Sequence, residues 1–203
     1  MCFAPLGAWA PRDKEENAVA TPARDEVRAD GPPPALVRMV RVIDTISEWS
    51  GWIFCWLILP LMLGTTYEVI ARYAFNAPTI WAYDTSYMLY GSHFMLGAAY
   101  TLLKGGHIRT DIFYQNWSPR TQGLVDALLY LLLFFPGMIF FFWMGGQEGW
   151  HSLQIGERSD ASPWRPIVYP LKLVIPVTAL LILVQGVSEL VKSAHLALRG
   201  RPL

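Results

Sequence analysis

Glu68 and Arg72 stand four residues apart with the carboxylate on the N-terminal side, the order that favours an ion pair along one face of a helix. Asp84 follows after a short turn-like link, Asn76-Ala-Pro78-Thr-Ile-Trp81, so a helical hairpin would bring a second carboxylate to the same corner. Such a corner either fixes the hairpin locally or meets another chain, because ionisable groups drawn away from water need charged neighbours. The histidines His93, His107, His151 and His195 raise a second chemistry, haem held between facing helices. Depth argues against it. His93 lies in the middle of an apolar block and the other three fall beyond block ends, which makes His93 a hydrogen-bonded packing residue. No phosphate loop, GxSxG elbow, HExxH or paired-carboxylate constellation is present, so no catalytic, cofactor-binding or metal-binding residue is assigned and the chain is not expected to be an enzyme. Of the two cysteines, Cys55 lies inside an apolar block, out of reach of Cys2, so neither a disulfide nor a metal site is expected.

The elements that must position these residues are four apolar blocks near 52–73, 83–103, 124–146 and 167–190. Each is close to the roughly 20 residues that a helix needs to cross a hydrocarbon core about 30 Å thick. A net charge of zero and a mean hydropathy of +0.30 average a polar N-terminal region with a far more apolar remainder. The connections among 203 residues are too short for a soluble domain of ordinary size. The fold class is therefore all-α, an integral membrane protein with four transmembrane helices.

Residues 1–34, with the run Pro32-Pro33-Pro34 and alternating charges such as Asp13-Lys14-Glu15-Glu16, form a disordered tail, because this composition cannot bury enough apolar surface to offset chain entropy. Residues 35–203 form the transmembrane domain. At its start Leu36, Val40 and Ile43, with Met39 and Ile46, recur at helical spacing while Arg38, Arg41, Thr45 and Glu48 gather opposite. That pattern is an amphipathic helix, either lying in the interface before the first span or extending that span. A second amphipathic segment, with Ile108, Ile112, Phe113 and Trp117, is expected between the second and third spans after Gly105-Gly106. Trp81, Trp117 and Trp164 sit at interfacial depth. With both termini inside, eight basic residues (Arg38, Arg41, Lys104, Arg109, Arg120, Lys192, Arg199, Arg201) fall on the cytoplasmic side against four (Arg72, Arg158, Arg165, Lys172) outside, the bias that the positive-inside rule requires. No inverted repeat or deep carboxylate pair supplies a midplane transport site, so the chain is not expected to carry solute alone.

The run Glu68-Val-Ile-Ala-Arg72-Tyr73-Ala-Phe-Asn-Ala-Pro78-Thr-Ile-Trp81-Ala-Tyr-Asp84, then Gly97-Ala-Ala-Tyr100, Gly106-His107-Ile-Arg109-Thr-Asp111, Trp164-Arg-Pro-Ile-Val-Tyr-Pro-Leu-Lys172 and Leu183-Val-Gln185-Gly186, resembles the small membrane subunit of tripartite ATP-independent periplasmic (TRAP) transporters, the DctQ-like family. Asp84 departs from it, standing where the family often has Glu. The resemblance implies a bacterial inner-membrane scaffold that braces a large multi-span subunit, which moves an organic acid inward with sodium after a periplasmic binding protein delivers it. It implies no cofactor and no nucleic-acid partner. Glu68, Arg72, Tyr73, Trp81, Asp84, His107, Arg109, Asp111, Trp164 and Lys172 are then interface or structural candidates. The alternative reading is a membrane anchor for an electron-transfer complex.

Overall fold

A computed structural model of the chain describes residues 33–105 and 117–200. They form seven α-helices joined by one π-helical turn: α1 (Pro34–Cys55), α2 (Ile58–Ala74), α3 (Ala82–Leu96), α4 (Ala98–Leu103), α5 (Pro119–Leu129), the π turn (Tyr130–Phe134), α6 (Phe135–Ile155) and α7 (Tyr169–Arg199). Among the described residues there is no strand, only an isolated antiparallel bridge between Arg158 and Ile167. Three helical stretches are long and apolar enough to cross a membrane: Pro34–Ala74, Pro119–Ile155 and Tyr169–Arg199. The second apolar block, expected as a span of its own, is divided at Gly97 into helices of 15 and 6 residues.

Prolines explain most of the breaks. Pro34 and Pro119 open α1 and α5 at the first helical position, where a fixed φ is already helical and the missing N–H would have had no partner. Pro60 lies inside the first block, where its ring collides with the carbonyl four residues back and it offers that carbonyl no donor. The helix breaks accordingly at Trp56–Leu57, where tight bonds run from Trp56 N to Ile53 O (3.3 Å) and from Leu57 N to Phe54 O (3.2 Å). The amphipathic stretch is thus not a separate helix ahead of the span. It is the first half of α1 and runs into the block as far as Cys55. Pro136 has the same effect on the third block, and the helix widens into the π turn just before it, a common way to absorb an interrupted ladder. Gly156, with φ of 60°, ends α6, and Glu157 N closes the cap on Ser152 O at 3.1 Å.

Helix α7 is the centre of the bundle, packing against α1, α3 and α4 on one side and against α5 and α6 on the other, while α2 packs on α3. The interior is built from small and polar residues. Ala71, Ala82, Ala99, Ala179, Ser47, Ser152, Thr178 and Ser188 are buried, whereas large apolar residues such as Trp52, Leu63, Phe94, Leu133 and Trp143 face outward. That inversion suits a lipid-facing bundle, in which close backbone approach replaces the hydrophobic drive as the source of cohesion. On α6, Gly145, Gly149 and Ser152 form one buried face against α7; a Cβ on Gly145 would fall 2.7 Å from Ile175 Cγ2. The α5–α7 crossing is closer still, since a Cβ on Gly123 would fall 2.5 Å from Ala197 N and 2.7 Å from Ser193 O. The inward side of α1 is likewise set by Val40, Ser47 and Ser50, while Met39 and Ile46 are outward at 40% and 47% exposure.

Candidate functional site

At one end of the bundle lie the α2–α3 turn and the α6–α7 loop. Glu68 and Arg72 pair along α2, Arg72 Nε donating to Glu68 Oε1 at 2.9 Å with Nη2 on the same oxygen. The other oxygen of Glu68 accepts from the Thr79 backbone N–H at 3.0 Å and from the Thr79 hydroxyl. The carboxylate therefore ties the turn back onto its own helix. Trp81 stacks on Tyr67 with ring centroids 6.0 Å apart, and Tyr73 projects at 82% exposure.

Asp84 does not join this corner. It is 3% exposed in the first turn of α3 and accepts instead from the Ser159 hydroxyl at 3.0 Å and the Ser162 hydroxyl. The α6–α7 loop is a narrow clip, with Ser159 N on Pro166 O at 2.8 Å and Val168 N on Glu157 O at 3.0 Å, and Asp84 pins it across the bundle. A carboxylate in the first turn of a helix is also favoured by the helix dipole. Lys172 fastens the near side of the clip, donating to Glu148 Oε1 at 2.7 Å and Glu157 Oε2 at 2.6 Å. The Lys172 ammonium is the first of the causes that hold the Glu157 carboxyl below the usual carboxylate range. Trp164 stands on the outer edge of this loop, half-exposed.

The opposite end holds a cluster that the sequence reading missed. Lys192 Nζ lies 2.8 Å from both Asp44 Oδ2 and Glu189 Oε1, Ser188 Oγ donates to Asp44 Oδ1 at 2.7 Å, and Gln185 Nε2 reaches the same oxygen at 3.0 Å. Gln185 and Ser188 are fully buried. The signal was present as Gln185, Ser188, Glu189 and Lys192 at spacings of three, four and seven on one face of α7. Beside this cluster Lys104 pairs with Glu48 at 3.2 Å. His107, Arg109, Asp111 and the second amphipathic segment up to residue 116 lie outside the described residues.

His93 does behave as a packing residue, its Nδ1 lying 3.0 Å from the Phe54 carbonyl oxygen at the α1–α2 break, where a neighbouring helix can satisfy backbone freed by a kink. Cys55 corrects an expectation: it is disulfide-bonded. The other half of the bond lies outside the described residues.

At both ends of the bundle the charged side chains form ion pairs and hydrogen bonds with neighbouring elements. Their carboxylates are consumed by helix-to-helix and helix-to-loop contacts, and no group of three or more metal-ligating side chains occurs among the described residues. A search of curated proteins found no match. The profile described as "Tripartite ATP-independent periplasmic transporters, DctQ component" matches residues 61–196, from the middle of the α1–α2 span to the last turns of α7. The chain belongs to this family, the DctQ components of tripartite ATP-independent periplasmic transporters.

Proposed function

We propose that this chain is the small permease subunit that braces the large multi-span subunit of a TRAP-type secondary transporter, while the large subunit moves an organic acid inward with sodium after a periplasmic binding protein delivers it. On this reading it sits in the inner membrane with both termini cytoplasmic and crosses four times. The fourth crossing is Ala82–Leu103, about 33 Å long at 1.5 Å per residue. Its interruption at Gly97 is slight, because Gly97 N still bonds His93 O at 3.2 Å and Thr101 N bonds Gly97 O at 3.0 Å.

The observation that carries the reading is the outward face of α3. Tyr83, Tyr87, Tyr90 and Phe94 form one stripe at spacings of four, three and four, each 59–71% exposed. Tyr87 and Tyr90 lie about 6 and 10 Å further along the helix than Tyr83, and no hydroxyl of the three tyrosines has a hydrogen-bond partner among the described residues. Lipid tails offer such hydroxyls no acceptor, whereas a neighbouring transmembrane helix does. The stripe is the seat for a helix of the large subunit, with Arg72, Tyr73 and Trp81 at its rim, and Glu68, Asp84, Trp164 and Lys172 hold the frame behind it.

Cysteine pairs test this. Tyr87→Cys and Tyr90→Cys are expected to cross-link to the large subunit in native membranes, and Phe140→Cys on the outward side of α6 is not. Cross-linking from Phe140→Cys with none from α3 would overturn the assignment.

A further inference from the structure

The end of the bundle that holds Lys104 and Lys192 also carries an open cleft of about 450 Å³ between α1 and α4, whose walls include Val37, Val40, Arg41, Asp44, Glu48 and Lys104. A second depression adjoins it on α1, lined by Pro34, Val37, Arg38, Arg41 and Val42. The charges around the cleft do not balance. Lys192 is held by Asp44 and Glu189, and Lys104 by Glu48. Arg38 and Arg41 have no carboxylate partner among the described residues. Both lie toward the N-terminal end of α1, one turn apart on its exposed side. Below them the outward side of the same helix is apolar, with Val42, Ile46, Trp49, Trp52 and Ile53 all 47–63% exposed. From Arg41 to Trp52 the helix descends about 16 Å, so cations come first and an acyl-length apolar wall follows.

We propose that the depression on α1 beside this cleft, lined by Arg38, Arg41 and Val42, binds one anionic phospholipid, its phosphate on Arg38 and Arg41 and its acyl chains along the Val42–Ile53 side of α1. Planar guanidiniums match phosphate oxygens with paired hydrogen bonds, and basic pockets between helices at a membrane surface are a recurring headgroup site. The shared chemistry is a phosphate anion; the continuous apolar wall favours a lipid over free phosphate.

Native mass spectrometry of the detergent-purified full chain, titrated with phosphatidylglycerol, phosphatidylcholine or inorganic phosphate, tests the site. The chain is expected to retain one phosphatidylglycerol at least about tenfold more tightly than phosphatidylcholine, at about 1.4 kcal/mol per tenfold, and millimolar inorganic phosphate is expected not to displace it. The double variant R38Q/R41Q loses that preference, and R158Q, which removes a cation at the far end, leaves it intact. Equal retention of the two lipids, displacement by inorganic phosphate, or an equal loss in R158Q would each overturn the proposal. The melting temperature of R38Q/R41Q is read alongside. Both side chains are exposed, so it is expected to match the wild type, and lipid loss that persists in a variant melting like the wild type is the supporting result.

Discussion

Asp44 and Lys192 are separated by 148 positions yet meet at 2.8 Å, with Ser188 and Gln185 completing the shell of the carboxylate. Removing one member of a shielded, hydrogen-bonded pair leaves its partners unsatisfied. Asp44→Ala is therefore expected to destabilise the detergent-solubilised protein by about 1–3 kcal/mol, read as a lowered melting temperature. In a double-mutant cycle with Lys192→Ala the two losses should fall short of additive by about 0.5 kcal/mol or more; strict additivity would show that the pair is not coupled. Glu157 sets a pH dependence at the other end. Its folded pKa lies below its unfolded one, so the stability it contributes is present above the unfolded value, about 4.3, and is lost as pH falls through the folded value. Melting temperature is expected to fall between about pH 5 and pH 3, and Glu157→Gln should flatten part of that slope. These residues also show what a sequence can reveal. Glu68–Arg72 was legible because helical spacing alone brings the two together. Asp84 was misassigned because its true partners, Ser159 and Ser162, lie 75 and 78 positions away in a loop with no periodic signal. Asp44 was missed because nothing local marks it as facing α7.

At the scale of elements, three of the four apolar blocks were readable as helices long and apolar enough to cross a membrane, and the breaks inside the first and third followed from proline. Pro60 splits the first block at Trp56–Leu57, and Pro136 calls up the π turn. What composition hid was the side each helix turns inward. In a soluble protein Met39 and Ile46 would mark the core; beside lipid the large residues turn out and the small ones in, so periodicity finds the stripe but not its direction. The glycines test that inversion. Gly123→Ala would press a methyl group onto the α7 backbone at Ser193 and Ala197, and overpacking of this kind is expected to cost about 1–3 kcal/mol. Gly137→Ala, on α6 with nothing within 4 Å of the added carbon, is expected to be neutral or to gain up to about 1 kcal/mol from helix propensity. Comparing the two melting temperatures checks the packing directly, and equal effects would mean that the α5–α7 crossing is not close.

For the whole molecule, α7 joins two lobes, α1–α4 and α5–α6, and polar clusters lock it at both ends. Among the described residues Asp44 ties α1 to α7, and Asp84 ties α3 to the α6–α7 loop; on the proposed reading the α3 stripe is the side offered to a partner. On the proposed function the chain should be necessary for transport and incapable of it alone. The most direct measurement is uptake into liposomes under an inward sodium gradient, with the periplasmic binding protein and the acid it retains on the outside, comparing vesicles that hold this chain, the large subunit, or both. Uptake is expected only with both present. Entry of the acid into vesicles holding this chain alone, or full uptake by the large subunit without it, would contradict the account.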